Sequence, residues 1–286
     1  FMFLADGWSD FRVLDAGNGM KLERWKDITL LRPDPQAVWP MTESSADAVY
    51  LRSETGGGHW EFTRQLPEQW KIQYRDLTFL VRPTGFKHTG LFPEQAVNWD
   101  WMRGELDRWK RTNTRAPKVL NLFAYTGGAT VACAASGAEV VHVDAAKGMV
   151  AWAKNNAEAS GLADAPIRYI VDDCAKFVKR EIRRGSKYDG IVMDPPSYGR
   201  GPTGELWKIE DDLYPIVADC AALLSDTPAF FLINSYTTGL APSVLSNVLR
   251  VALPAGNAVS DEVGLPIERD RLTLPCGASG RWTPKG

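Results

Sequence analysis

From residue 118 onward the chain alternates short, nearly all-apolar runs with longer stretches of helical periodicity, five times in succession. Runs of four to six apolar residues suit strands buried on both faces, and a strand reached through a helix returns parallel to its predecessor. The pattern predicts strands over 118–122, 139–143, 167–171, 188–193 and 229–234. Helices are expected over 128–136, 147–160, 175–184, 209–224 and 242–253. Two late strands, near 258–263 and 271–274, follow. A leading helix over 93–109 has Pro93 in its first turn and apolar residues at 97, 101, 102, 106 and 109. This order describes an α/β protein with a mostly parallel sheet covered by helices on both faces.

Residues 1–85 read as a separate β-rich module. Short alternating segments at 11–14, 22–25, 28–31, 60–62, 71–74 and 77–81 are broken by turn residues, among them Gly17-Asn-Gly19 and Gly56-Gly-Gly58. Five of the eleven tryptophans, at 8, 25, 39, 60 and 70, lie here. Filling a thin core is their expected use, with stacking on nucleic-acid bases as the alternative. The expected division is therefore 1–85 and 86–286.

Composition narrows the class of protein. Four cysteines, at 133, 174, 220 and 276, are too scattered for a disulfide framework or a zinc site, and fit reduced thiols in a cytoplasm. No apolar run approaches the roughly 20 residues that span a bilayer, so a soluble protein without a membrane partner is expected. Phe1 ahead of Met2 suggests that further residues lie upstream. The formal charge of −2 argues against a large, uniformly basic face, although a local patch is compatible with it.

In open α/β sheets ligands sit beyond the carboxyl ends of the strands, and each polar residue of interest falls there. Thr126-Gly-Gly128 after the first strand allows a tight turn and close backbone approach to a ligand, or is simply a strand-to-helix turn. Asp144, ending the second strand and followed by Ala145, can accept both hydrogen bonds of a ribose diol, or cap the next helix. Asp172-Asp173-Cys174 after the third strand can pair a carboxylate with an adenine amino group, and one aspartate is also a good helix cap. Asp194-Pro-Pro-Ser-Tyr198 is the sharpest signal. Its prolines stop the strand and lack N–H groups, leaving carbonyls to accept from a substrate amine; Asp194 accepts a further hydrogen bond or proton, and Tyr198 offers a stacking ring.

From about residue 85 to the C-terminus the chain resembles class I S-adenosylmethionine-dependent methyltransferases, the Rossmann-like fold with a seven-stranded sheet. It resembles in particular the family of bacterial 23S ribosomal RNA methyltransferases that act on cytosine C5 or guanine N7. The resemblance rests on Asn121-Leu-Phe-Ala-Tyr-Thr-Gly-Gly128, Asp144, Asp172-Asp173 and Asp194-Pro-Pro-Ser-Tyr198. A further segment, Lys87-His-Thr-Gly-Leu-Phe-Pro-Glu-Gln95, is similar to that family's stretch beside the cofactor, with His88 as a departure. The resemblance implies that Asn121, Phe123, Tyr125 and Gly127 flank the methionine part of S-adenosylmethionine. It likewise places Asp144 at the ribose and Asp173 with Cys174 at the adenine. Phe92, Gln95, Thr126, Gly128, Ala145, Asp172 and Asp194 complete the expected cofactor set, and Asp194, Pro195 and Tyr198 the expected catalytic set.

Cytosine-C5 chemistry needs a cysteine thiolate, which family members carry after the fifth strand. Here that place reads Asn234-Ser235-Tyr236, with Cys276 the remaining candidate thiol. The expected reaction is therefore direct methyl transfer to a base nitrogen of RNA, ribosomal by resemblance, with no metal required. Three alternatives stay open: a protein or small-molecule methyltransferase, a non-catalytic RNA-binding module, and a nicotinamide-dependent dehydrogenase, which would prefer G-x-G-x-x-G. His142 is expected in the core and His88 near the site. The basic run Lys176, Lys179, Arg180, Arg183, Arg184 and Lys187 is read as a solvated helix face, with RNA phosphate contact as the sharper alternative.

Overall fold

The computed structural model describes residues 1–286, the side chain of Asp270 excepted. Its contacts divide the chain into an N-terminal unit, residues 3–97 with 263–276, and a large unit, residues 1–2, 98–262 and 277–286.

The N-terminal unit contains β1 (Phe3–Leu4), β2 (Phe11–Gly17), β3 (Met20–Trp25), β4 (Ile28–Pro33), β5 (Ala48–Arg52), β6 (Gly58–Phe62), β7 (Trp70–Tyr74) and β8 (Leu77–Val81). Strands β2 to β6 form one sheet in chain order, and β7 pairs with β8. Asn18 and Gly19, at φ of 52° and 74°, supply the two left-handed residues of the β2–β3 turn. The tryptophans pack, as expected. Trp8 and Trp25 are buried, Trp25 edge-on to Phe11 at 4.7 Å. The indole N–H groups of Trp8, Trp39, Trp60 and Trp70 donate to the main-chain carbonyls of Pro93, Ala16, Thr84 and Trp25. Trp39, Trp60 and Trp70 are half-buried, each anchored through its indole N–H. Arg32 meets the buried Glu23 carboxylate through two bonds, 2.6 and 2.8 Å long, so that charge is paired where water cannot reach it.

After the 3-10 turn at Pro93–Gln95 the chain continues as α1 (Ala96–Lys110), β9 (Lys118–Leu122), α2 (Gly128–Ala135), β10 (Glu139–Asp144), α3 (Lys147–Ala159) and β11 (Ile167–Val171). Then come α4 (Cys174–Arg183), β12 (Gly190–Met193), β13 (Tyr198–Arg200), β14 (Leu206–Lys208), α5 (Ile209–Ala221), β15 (Phe230–Ser235), α6 (Pro242–Ala252), β16 (Gly256–Pro266) and β17 (Thr273–Pro284). Seven of these strands lie side by side in the order β16-β17-β15-β12-β9-β10-β11. An eighth, the two-residue β1, pairs in parallel with Val263 and Gly264 at the edge. The pairs β9–β10, β10–β11, β9–β12 and β12–β15 are parallel, and β17 runs antiparallel to β15.

Burial explains why the five β/α repeats were so plain. Every residue of β12 and β15 is buried, as parallel strands covered on both faces must be. The core formed by Leu120, Leu122, Ile191, Phe231 and Ile233 is closed on one face by Phe177, Leu213 and Val217 of the helices. At the base of β12, Asp189 takes two 2.7 Å bonds from Arg115 and others from Ser225 and the Lys118 N–H. These bonds hold its pKa low against burial, which acts the other way. Arg115 is thereby a structural cation.

Strands β1, β5, β13 and β14 were not expected from the sequence, and the last two strands are longer than expected. Strands β16 and β17 run for 11 and 12 residues, each passing from one unit into the other. No helix among the described residues is long and apolar enough to cross a membrane.

Candidate active site at the sheet switch point

Strand β9 has β10 on one side and β12 on the other, so successive crossovers leave it in opposite directions. Such a reversal opens a crevice at the carboxyl ends of the strands, where a ligand can enter. Asp144, the Asp172-Asp173 pair and Asp194 all stand at those ends.

The turn between β9 and α2 is the tightest part. Phe123, Tyr125 and Gly127 take φ of 54°, 51° and 80°, two of them without the freedom of glycine. Left-handed backbone of that kind persists only when its surroundings hold it. Here every neighbour does so: Phe123 N–H donates to Cys174 Sγ at 3.3 Å, Ala124 N–H to the Val143 carbonyl at 3.0 Å and Tyr125 N–H to Asp144 Oδ2 at 2.8 Å. The buried Asn156 amide donates to the Thr126 carbonyl from α3. A Cβ on Gly127 would stand 2.8 Å from the Ala153 Cβ, and one on Gly128 2.8 Å from the Trp99 ring. The two glycines therefore serve close helix packing.

Asp144 is half-buried and accepts from Tyr125 N–H at one oxygen and from Ala146 N–H, 2.9 Å away, at the other. Burial pushes its pKa up, against the lowering effect of those two N–H groups. Each oxygen keeps a lone pair beyond these bonds. Ala145 beside it is half-buried. The free acceptor capacity thus fits a ribose diol.

The next loop divides its labour. Asp172 pairs with Arg180 at 2.5 Å, while Asp173 caps α4 by accepting from Lys176 N–H at 2.9 Å. Both helix-capping and ligand roles remain compatible, since only one Asp173 oxygen is used by the cap. Cys174 is buried, its thiol pushed well up by burial, so it lines the loop as a neutral group.

Asp194 and Pro195 follow β12 directly, Asp194 half-exposed and Pro195 buried. The Pro196 carbonyl accepts from the Trp207 indole at 2.7 Å, and the Trp207 ring lies 4.9 Å from Phe123. Tyr198 is 57% exposed, its hydroxyl accepting from Arg200 at 3.4 Å. Trp207 and the hairpin that carries it had no signal in the sequence beyond a lone aromatic among turn residues.

Asn121 is buried, its amide on Thr130 Oγ1, and that hydroxyl contacts His142 Nδ1 at 2.8 Å. His142 is in the core as expected, and burial pushes it down to about 4, leaving it neutral. The Tyr125 backbone acts the other way, raising it. Phe92, Gln95 and His88 belong to the N-terminal unit, Phe92 edge-on to His88 at 5.6 Å. Cys276 lies there too, its thiol pushed far up by burial. Lys176 and Arg180 of α4 and Arg184 at its C-cap are paired with Glu205, Asp172 and Glu181. That favours the solvated-face reading.

The model of the S-adenosylmethionine-dependent methyltransferase family matches residues 53–231. The chain belongs to that family. A solved methyltransferase of the same dependence from Agrobacterium tumefaciens is 37% identical, with a TM-score of 0.93, and the match covers 100% of this chain and 94% of that one. A second chain, crystallised with S-adenosylhomocysteine, has a TM-score of 0.74 at 20% identity over 98% of this chain and 76% of its own, and so shares the fold alone. Among curated proteins, the ribosomal RNA large subunit methyltransferase K/L of Shewanella frigidimarina is 32% identical over 159 residues. That match takes in 55% of this methyltransferase and 21% of the relative, so the chain spans about a fifth of that relative's length. The class I methyltransferase fold and its methyl-donor cofactor are thereby established for this chain.

Proposed function

We propose that this methyltransferase binds S-adenosylmethionine across the ends of β9, β10 and β11 and methylates a base nitrogen of ribosomal RNA. The observation that carries the reading is Asp144: a desolvated carboxylate at the switch point, braced by two backbone N–H groups, with acceptor capacity left over. The 121–128 turn would flank the methionine end, and Asp173 with Cys174 the adenine. The bound cofactor supplies an electrophilic methyl group on sulfonium. Asp194 and the Pro195 carbonyl orient the acceptor amine, and Tyr198 stacks on its ring. Holding the acceptor in line contributes on the order of 7–11 kcal/mol without a covalent intermediate.

Nitrogen is preferred over cytosine C5 because β15 ends in Asn234 and Ser235, whose side chains lie buried, Asn234 bonded to Asn98 and Ser279. Cys133, Cys174 and Cys220 are buried thiols raised by burial. Ribosomal RNA is preferred because the Shewanella frigidimarina relative carries that substrate in its name. The test is transfer of labelled methyl from S-adenosylmethionine to ribosomal RNA purified from cells lacking the gene, with total cell protein in parallel. Tyr198→Ala should abolish labelling of RNA while leaving the melting temperature unchanged, given its exposure. Label in protein, with RNA unlabelled, would overturn the substrate assignment.

A further inference from the structure

Between the Asp-Pro-Pro turn and α5 the chain makes a hairpin, β13 paired with β14 from Tyr198↔Lys208 to Arg200↔Leu206. Its base and its tip are tied to different parts of the crevice. At the base, Trp207 holds the Pro196 carbonyl and lies on Phe123. At the tip, Glu205 accepts from Lys176 Nζ at 2.7 Å, in the first turn of α4. Lys176 also reaches Thr203 at 3.4 Å, and Thr203 Oγ1 bonds Glu205. Gly201 sits so close to the α4 cap that a Cβ there would stand 2.9 Å from Asp173 Oδ1. Glu205 is only 17% exposed, and Lys176 holds its pKa low. The hairpin therefore spans from the loop at Asp194 to the loop at Asp173.

We propose that this hairpin forms one wall of the methyl-donor site and that Lys176 and Glu205 are positioning residues, a latch that keeps the wall against the adenine end. The assignment rests on the reading that Asp144 and Asp173 hold the donor. Neither latch residue needs to touch the donor. By fastening the tip to α4 they slow the donor's escape, so the effect belongs to dissociation.

S-adenosylhomocysteine serves as a non-reacting probe, with affinity read by calorimetry and dissociation by stopped flow. Glu205→Lys and Lys176→Glu each set like charges face to face, and should speed dissociation about threefold to tenfold, somewhat beyond the modest worth of an exposed pair. The double reversal K176E/E205K should return the rate to within about twofold of the unsubstituted protein, as a direct pair requires. Glu205→Gln, which keeps the side chain's size, should give a smaller rise at an unchanged melting temperature. Unaltered dissociation in every latch variant, or a double reversal no better than the singles, would overturn the latch. Asp144→Asn separates the two readings: if it weakens the probe and the latch variants do not, the donor site stands and the wall falls. Failure of the unsubstituted protein to bind the probe would overturn both.

Discussion

Replacing Asp144 by asparagine should uncouple donor binding from stability. The side chain keeps its size, and the change removes one acceptor and the charge. A hydrogen bond to a charged group contributes about 1.5–3 kcal/mol. At about 1.4 kcal/mol per decade, losing one ribose bond lowers donor affinity roughly 10- to 150-fold. The effect on folding runs the other way. Burial raises the folded pKa of Asp144 above its unfolded value, so its contribution is greatest at low pH and is lost as pH rises through the folded value. At neutral pH the ionised form is therefore a net cost to the protein without ligand. Calorimetry with S-adenosylhomocysteine should show the affinity loss; in melting at pH 7 the removed charge offsets the acceptor that Tyr125 or Ala146 N–H loses, leaving Asp144→Asn within about 2 °C of the original, on the order of 1 kcal/mol or less. A variant that keeps its affinity within threefold would refute the ribose assignment. One that melts far lower would refute the claim that the site holds this charge at a cost.

Two other substitutions test the frame. Gly127→Ala combines a left-handed φ of 80° with a Cβ 2.8 Å from Ala153. It should destabilise by about 2–5 kcal/mol, read from denaturant melts, and a neutral result would show that the β9–α2 turn relaxes freely. In the N-terminal unit, Glu94 is buried and pushed up to about 7, chiefly by burial and slightly by Glu23, against Lys21 and Arg32. Raised above its unfolded value, it stabilises fully in acid and loses that contribution as pH climbs towards and past 7. The melting temperature should fall between pH 5.5 and pH 8.5 by more in the original protein than in Glu94→Gln, and equal falls would refute the assignment.

The sheet was legible because its strands are buried on both faces: Gly190 to Met193 and Phe230 to Ser235 have little choice but to be apolar or small. The positions of Asp144, Asp173 and Asp194 at strand ends were legible because each closely follows an apolar run. The turn at Phe123 and Tyr125 was not. Their left-handed backbone is imposed by acceptors 19 and 51 residues away, on Asp144 and Cys174. Nor did Asn121 announce that its amide would be spent on Thr130. The β13–β14 hairpin escaped notice because each arm has three residues, too few for a period to show. Strands β16 and β17 looked short because much of their length is half-buried and carries polar residues, which breaks the apolar run without breaking the ladder.

The N-terminal unit is assembled from residues 3–97 and 263–276, with Glu268 N–H on the Val13 carbonyl and Arg269 beside Asp15. During synthesis its first segment must wait for the ribosome to add about 180 more residues before the second appears. At about 5–20 residues per second that delay is on the order of 10–40 s. For that interval the strand edges and buried faces that residues 263–276 will cover stay unmatched on the nascent chain. The large unit's central strands, all within that intervening stretch, have time to pair first.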